Sequence, residues 1–166
     1  IMIESVEHNT IRVATAADIG NILAFDLIAQ EEPVRQAFIR KAVQAGHCTV
    51  VDVEDQAVAY LIMERSFFGW PFIELVYVRS DHRQYGYATA LMRYIEDTCG
   101  SEKLFTSTNL SNLHMQRLLE KLGYTISGVV HNLDEGDPEV FYFKRPAESG
   151  HESGYNMPQV SQQASH

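Results

Sequence analysis

The spacing of apolar residues changes along the chain, and each change predicts a different element. Alternation at 11–14 predicts a short strand. Thr15, followed by Asp18 in a capping-box position, predicts the start of a helix. A second helix is predicted from Pro33, which suits a first helical position, to a stop at Gly46.

Strand-like runs then alternate with helical patterns. The predicted elements are strands at 47–53, 57–63 and 72–78, a helix at 86–99, a strand at 104–107, a helix at 111–122, and strands near 124–130 and 140–144. Turn residues separate the members of two strand pairs, EDQ in the first pair and NLDEGDP in the last. The order βααβββαβαββ predicts an α/β (α+β) domain built around a mixed sheet.

The loop after the 72–78 strand combines a glycine, a small residue and basic side chains. In VRSDHRQYGYATALM, Gly86 and Ala88 keep side chains away from the main chain where a helix begins. The first amides of a helix have no intrahelical partner and carry partial positive charge, so they bind phosphate groups. With Arg79, His82 and Arg83 nearby, the pattern fits an anion site and also an ordinary helix entry.

The motif Arg83-x-x-Gly86-x-Ala88 resembles the acyl-CoA-binding motif of the GNAT superfamily of N-acetyltransferases. It follows an apolar-aromatic-apolar triplet at 76–78, as in that family, and NLHMQRLLEKLGY at 112–124 resembles the family's second signature. The resemblance extends over nearly the whole folded part of the chain and includes the element order. It places a GNAT domain at 1–145 and a polar tail at 146–166.

The resemblance implies a mostly antiparallel mixed sheet, flanked by about four helices and splayed between its fourth and fifth strands. The pantetheine arm of acetyl-CoA would lie in this gap along 76–78, and the amides of 84–89 would hold the pyrophosphate. The implied cofactor-binding residues are Val76, Tyr77, Val78, Arg83, Gln84, Tyr85, Gly86, Tyr87, Ala88, Thr89 and Asn112. Asn112 alternatively caps the helix that follows it.

Glu74 is the candidate catalytic base. It is the only charged residue in FIELVYV, and a carboxylate within a central strand is unfavourable unless it is paired or functional. Strand alternation places it on one face with Phe72, Val76 and Val78. Its position resembles that of the glutamate base in one histone-acetylating branch of the superfamily. It would accept the proton that an alkyl ammonium must lose; the alternative is a salt-bridged or half-exposed glutamate near a sheet opening.

The general acid that the family often uses is missing. That tyrosine lies seven residues after the helix asparagine, where this chain has Leu119, and leucine has no proton to give to the leaving thiolate. Water, or one of Ser107, His114 and Tyr124, would supply the proton, unless no acid is required. The backbone amide of Val78 is expected to stabilise the oxyanion.

On the substrate side, the family's acceptor groove is built from the first two helices, their loop and the last hairpin. The acidic residues in these segments are Glu31, Glu32, Asp134, Glu135 and Asp137. They either bind an amine-bearing acceptor or serve as turn residues. The aromatic stretch SFFGWP at 66–71 either lines the acceptor site or packs in a core or an interface.

Composition limits the classes of partner that we expect for this protein. The chain has 13 basic and 22 acidic residues, a net charge of −9, which argues against a nucleic-acid partner and mildly favours cationic small substrates. No run approaches the roughly 20 apolar residues of a membrane span, so no membrane partner is expected and a cytoplasmic location is inferred. Cys48 and Cys99 have no metal or disulfide spacing; buried thiols and no metal are expected. The tail and the exposed aromatic residues are compatible with a homodimer.

These features predict an acetyl-CoA-dependent N-acetyltransferase that transfers the acetyl group directly within a ternary complex. The expected acceptor is a primary amine on a small molecule, and a protein N-terminus or lysine is the alternative acceptor. A non-catalytic acyl-CoA-binding domain, used for sensing or interaction, is the alternative class of protein.

Overall fold

The structure is a computed structural model that describes residues 9–146. The segments 1–8 and 147–166 lie outside the described residues, and the predicted tail therefore falls outside them except for Pro146.

The described chain contains seven strands, five α-helices and two short 3-10 helices. The strands are β1 (Asn9–Val13), β2 (Cys48–Val53), β3 (Gln56–Phe67), β4 (Trp70–Val78), β5 (Leu104–Asn109), β6 (Thr125–Asp134) and β7 (Asp137–Lys144). The helices are α1 (Ile19–Phe25), α2 (Leu27–Glu31), α3 (Pro33–Gln44), α4 (Tyr87–Thr98) and α5 (Leu113–Lys121), with 3-10 turns at Ala16–Asp18 and Ser80–His82.

The strands form one mixed sheet in the order β1-β2-β3-β4-β5-β7-β6. β1 and β2, β2 and β3, β5 and β7, and β6 and β7 pair antiparallel. β4 and β5 are parallel, with Phe72 opposite Phe105 and Ile73 opposite Thr106. The predicted fold class, an α/β domain with a mixed, mostly antiparallel GNAT-like sheet, is confirmed, and its one parallel pair in the described chain joins β4 and β5, the two strands between which the splay is predicted.

Two local predictions need correction. The structure has three α-helices before β2 rather than two, because Asp26 ends α1 and caps a short α2. The Asp26 Oδ1 accepts bonds from the amides of Ile28 and Ala29, both at 3.0 Å. The predicted break around FFGWP is narrower than expected. β3 continues to Phe67 and β4 begins at Trp70, so two residues make the turn.

The chain divides into two compact units. Unit 1 comprises, within the described range, residues 9–63 and 74–94. Its core joins the apolar faces of α1 and α3 to β2 and β3, and the side chains of Ile22, Ile39 and Val50 are fully buried there. Burial of each such aliphatic side chain contributes roughly 1.5–3 kcal/mol.

Unit 2 comprises residues 64–73 and 95–146 of the described range. Its buried positions alternate along β5 and β7, with Leu104, Thr106 and Tyr142 inside, and α5 adds Leu119, which is fully buried. β6 is exposed along its whole length. In the described part of the chain, no helix has the length and apolar character needed to cross a membrane.

Candidate active site

The loop from β4 to α4 lies entirely in unit 1 and turns on two residues with left-handed backbone. Gln84 has φ 69° and Gly86 has φ 79°. A Cβ built on Gly86 would meet no heavy atom within 4 Å, so the backbone conformation, rather than crowding, requires glycine there. The same open space leaves the main chain at Gly86 accessible to a ligand.

Gly86 opens directly onto the N-terminus of α4. An early intrahelical bond runs from the amide of Ala90 to the carbonyl of Gly86 at 2.9 Å. The amides of the first turn precede this ladder and point out of the helix end. Ala88 and Thr89 are half-buried and small. The geometry therefore offers main-chain donors and a partial positive charge to an anion.

The basic residues of the loop contribute less free charge than the sequence suggests. Arg79 donates two bonds to Asp81, Nε to Oδ1 and Nη2 to Oδ2, both at 2.7 Å. Nδ1 of His82 lies 2.8 Å from the same Oδ1. Arg79, and after it His82, hold the pKa of Asp81 well below its usual range. Two of the three basic residues of the loop thus share one carboxylate at the surface.

Arg83 anchors the loop to the end of β4. Its Nε donates to the carbonyl of Val78 at 3.1 Å, and its guanidinium lies 5.5 Å from the ring centroid of Tyr77. Both contacts are within unit 1, and the first spans only five residues of the chain. The first residue of the predicted motif therefore orients the chain that carries Gly86.

β4 presents two different faces within unit 1. Leu75 and Tyr77 pack against the core, and the Tyr77 hydroxyl accepts a bond from the amide of Leu27 at 3.2 Å. By strand alternation, Glu74, Val76 and Val78 point to the other face, and all three are half-buried. The candidate base is therefore not part of the apolar core of this unit.

A buried polar cluster, which the sequence analysis missed, fixes the corner between α1 and α2. Asp26 is fully buried, and its Oδ2 accepts bonds from Arg35 Nε at 2.9 Å and from the Tyr60 hydroxyl. Arg35 also lies over the ring of Tyr77, 5.8 Å from its centroid. A signal was present in the sequence: Asp26 interrupts an apolar helical pattern, as an N-cap residue does.

An open pocket of about 390 Å³ lies between this corner and the loop. Its walls come from α1, from Leu27 and from the start of the loop; the lining residues are Asn21, Ala24, Phe25, Leu27, Arg79, Ser80 and Asp81. Pockets that hold small organic ligands have volumes of roughly 300–1,000 Å³. The pocket combines an apolar wall with hydroxyl, amide and charged groups.

In unit 2, Asn112 is the N-cap of α5. Its Oδ1 accepts a bond from the amide of Met115 at 3.1 Å, so the capping alternative is present in the structure. Asn112 is exposed. The bond to Met115 uses only its Oδ1, and the Nδ2 group of an asparagine can donate hydrogen bonds as well.

The three side chains named as substitute acids differ in their surroundings. Tyr124 is buried; burial raises the pKa of its hydroxyl, and the charge of Glu96 raises it further. A phenol in that state is a poor proton donor at neutral pH. Ser107 is half-buried on β5, and His114 is exposed on α5.

Two acidic residues of the β6–β7 hairpin have structural partners. Asp134 Oδ2 accepts from Asn109 Nδ2 at 2.8 Å, and both oxygens of Asp137 accept from the amide and hydroxyl of Ser111. These bonds hold the segment before α5 and support the turn interpretation. Glu135, like Glu31 and Glu32 of unit 1, is exposed.

The aromatic residues at 66–71 pack on unit 2. Phe67 contacts Phe72, Phe105 and Phe141, with ring centroids 5.2, 4.9 and 5.6 Å away. Trp70 lies under Lys103 Nζ at 4.8 Å. Of the two uses considered from the sequence, packing accounts for these rings; Phe68 remains 76% exposed. Across residues 9–146, no group of three His, Cys, Asp or Glu side chains is placed to hold a metal ion.

A mixed sheet with a glycine-bearing loop at a helix N-terminus defines the architecture, and comparison with known proteins gives the family. The model of the acetyltransferase (GNAT) family matches residues 17–124. A GNAT-family acetyltransferase from Bacillus cereus ATCC 10987 is 30% identical, with 83% of this chain and 97% of the other aligned at a TM-score of 0.77. The chain belongs to the GNAT acetyltransferase family. Comparison with curated proteins found no match.

Two further solved structures share the fold at lower identity. Ard1 from Thermoplasma volcanium is 19% identical, with 84% of this chain and 99% of Ard1 covered at a TM-score of 0.75. YncA from Salmonella typhimurium, solved with its cofactor acetyl-CoA, is 21% identical, with 89% and 99% covered at a TM-score of 0.66.

Proposed function

We propose that this protein is an acetyl-CoA-dependent N-acetyltransferase that transfers the acetyl group directly to a primary amine of a small molecule. The observation that carries the proposal is the open main chain at Gly86, in left-handed conformation, at the N-terminus of α4. This is a cradle for a diphosphate, and it occurs in a member of the acetyltransferase family. Acetyl-CoA bound in a related fold gives additional support.

In this proposal, the amides of 84–89 hold the diphosphate and the main chain of 76–78 pairs with the pantetheine arm. Arg83 keeps the loop against Val78, which sets the distance between these two contacts. The side-chain amide of Asn112 contributes a further contact to the CoA arm. Bound acetyl-CoA supplies the thioester whose acetyl group is transferred.

Glu74 accepts the proton of the acceptor ammonium, directly or through water, so that the nitrogen gains a free electron pair. One N–C bond forms and one C–S bond breaks. The Val78 amide donates to the carbonyl oxygen as negative charge develops on it. The nitrogen loses its second proton as the amide forms, and water is the simplest relay that carries this proton to the departing thiolate, since Leu119 cannot supply one and Tyr124 is buried.

The open pocket beside the α1–α2 corner is our candidate site for a small-molecule acceptor. Its volume of about 390 Å³ suits a compact ligand, and its wall combines Phe25 and Leu27 with Ser80 and Asn21. A protein N-terminus or lysine remains the alternative acceptor. Leu119, at the position where the family often has a tyrosine, favours as a second candidate an acyl-CoA-binding domain without turnover.

The test measures CoA release from acetyl-CoA across polyamines, amino acids, aminoglycosides and peptides. We expect amine-dependent release by the wild type. We expect Glu74→Gln to bind acetyl-CoA normally but to react about 10²- to 10⁴-fold more slowly, with partial recovery at high pH where the amine deprotonates unaided. Glu102→Gln makes the same change at an exposed glutamate outside the predicted CoA-binding and acceptor segments and serves as control.

Binding of acetyl-CoA without release by any amine would instead support the non-catalytic domain. Equal rates for the wild type and Glu74→Gln would remove Glu74 from the mechanism while leaving the transferase intact.

A further inference from the structure

Three aromatic rings form a row at the rim of the Gly86 cradle. The ring of Tyr87 lies between those of His82 and Tyr85, with centroid distances of 6.4 and 6.0 Å and interplanar angles of 29° and 30°. All three belong to unit 1 and to the stretch of chain that connects β4 to α4. We call these three side chains the ring row.

The inner part of the row is held in place. Asp81 Oδ1 lies 2.8 Å from Nδ1 of His82, and Asp81 is itself fixed by two bonds from Arg79. At the other side, Asn9 Nδ2 donates a long 3.4 Å bond to the Tyr87 hydroxyl. The row is therefore anchored at its first and middle rings.

The outer ring is left open. Tyr85 is 72% exposed, among the most exposed large hydrophobic side chains in the described part of the chain. It directly precedes Gly86, and consecutive Cα atoms are about 3.8 Å apart, so its side chain leaves the main chain one residue before the cradle. An exposed aromatic face next to a phosphate cradle suits a ligand that carries both an anionic group and a planar ring.

We propose that the outward face of Tyr85, supported by Tyr87 and His82, stacks on the adenine ring of the CoA nucleotide. The proposal rests on the function proposed above and assigns one part of the ligand to one side chain. Adenine is separated from the diphosphate by a single ribose, which matches a ring adjacent to the cradle. Stacking on a base needs no hydrogen bonds to its edge. It therefore suits the ring row, in which the Tyr87 hydroxyl and Nδ1 of His82 already have partners.

The experiment measures dissociation constants by calorimetry for acetyl-CoA, for adenosine 3′-phosphate 5′-diphosphate and for acetyl-4′-phosphopantetheine, which lacks the nucleotide. We expect Tyr85→Ala to weaken the first two by about 5- to 100-fold and to leave the third unchanged. Tyr85→Phe keeps the ring and should bind like the wild type. Phe68→Ala removes an exposed ring from unit 2 and should change none of the three values.

Other results would overturn the assignment. If Tyr85→Ala binds all three ligands like the wild type, the ring does not stack on adenine, and the proposed transferase stands. Stacking is equally excluded if Tyr85→Phe loses as much affinity as Tyr85→Ala, or if acetyl-4′-phosphopantetheine weakens by the same factor as acetyl-CoA. If the wild type binds neither acetyl-CoA nor the nucleotide, the proposed function fails and the stacking fails with it.

Discussion

The hydroxyl of Tyr60 donates a hydrogen bond to Asp26 Oδ2 at a distance of 2.5 Å, and both side chains are fully buried. Burial, and secondly the bond to Asp26, raise the pKa of Tyr60, so its proton stays on the phenol throughout the physiological range. Because Asp26 also accepts from Arg35 and caps α2, this pair ties strand β3 to the corner beside the pocket. A buried carboxylate is tolerated there because several donors share its charge.

Asp26→Ala should lower the free energy of unfolding by about 3–5 kcal/mol, because Arg35 loses its counter-charge in a largely buried position and α2 loses its cap. Tyr60→Phe should remove about 1–3 kcal/mol. Urea denaturation of both single variants and of the double variant measures the coupling, and the double variant should lose less than the sum. Asp97→Ala, on the exposed side of α4, should stay within about 0.5 kcal/mol of wild type. Additive effects would mean that the two side chains act independently.

Gly86→Val should abolish acetyl-CoA binding, with at least about 100-fold loss of affinity, while the fold persists. Valine is strained at φ 79°, and its side chain would occupy the space that a diphosphate requires. Gly136→Val is the matched control, because Gly136 has φ 74° and equally open surroundings in the β6–β7 turn. Both variants should lose similar thermal stability, and only the first should lose binding by calorimetry. Micromolar binding by Gly86→Val would contradict the cradle.

Asn112 should show separable effects on stability and binding. Asn112→Asp keeps an N-cap oxygen for Met115 and should unfold like the wild type, whereas Asn112→Ala should lose about 0.5–2 kcal/mol. Both variants lose the amide donor, so both should bind acetyl-CoA several-fold more weakly. If affinity is unchanged in Asn112→Asp, the residue is a helix cap and nothing more.

The thiol of Cys48 should make the fold sensitive to alkali. Burial raises the pKa of Cys48 to about 12, so the folded chain keeps a proton that the unfolded chain releases at lower pH. Stability contributed by the neutral thiol is complete below the unfolded pKa and declines as pH rises toward 12. Cys48→Ala should therefore show a shallower loss of unfolding free energy above about pH 9, by up to about 1.4 kcal/mol per pH unit. Denaturant titrations from about pH 7 to 11 measure how the free energy of unfolding of each protein depends on pH. An identical pH dependence for the wild type and Cys48→Ala would exclude a contribution from the buried thiol.

Local signals in the sequence were sufficient for most elements. Pro33 does start α3, and the capping box at Thr15 is present, with Asp18 Oδ2 accepting from the Thr15 amide at 2.7 Å. Such features depend on a few neighbouring residues, so they can be predicted without knowledge of the rest of the chain. α2 was missed because five residues carry too little periodicity, and its cap depends on a carboxylate whose other partners are remote in sequence.

In the candidate site, too, some features could be predicted from the sequence and others depend on the fold. The position of the glycine loop between β4 and α4 could be predicted, since spacing and turn chemistry are local. The pairing of Arg79 and His82 with Asp81 could not, although the three residues are close neighbours, because the rotamers that join them depend on the folded loop. Nor could the contact of Arg83 with Val78, which requires the loop to close.

By itself, the sequence determined where most strands and helices lie, where the glycine loop falls, and the family to be expected, because these follow from periodicity and short motifs. Only the tertiary structure decided which charges neutralise one another, that Asp26 is buried among several donors, and that Tyr85 stands exposed beside Gly86. The first and last of these facts depend on how the folded loop orients neighbouring side chains, and the burial of Asp26 depends on residues brought together from distant positions.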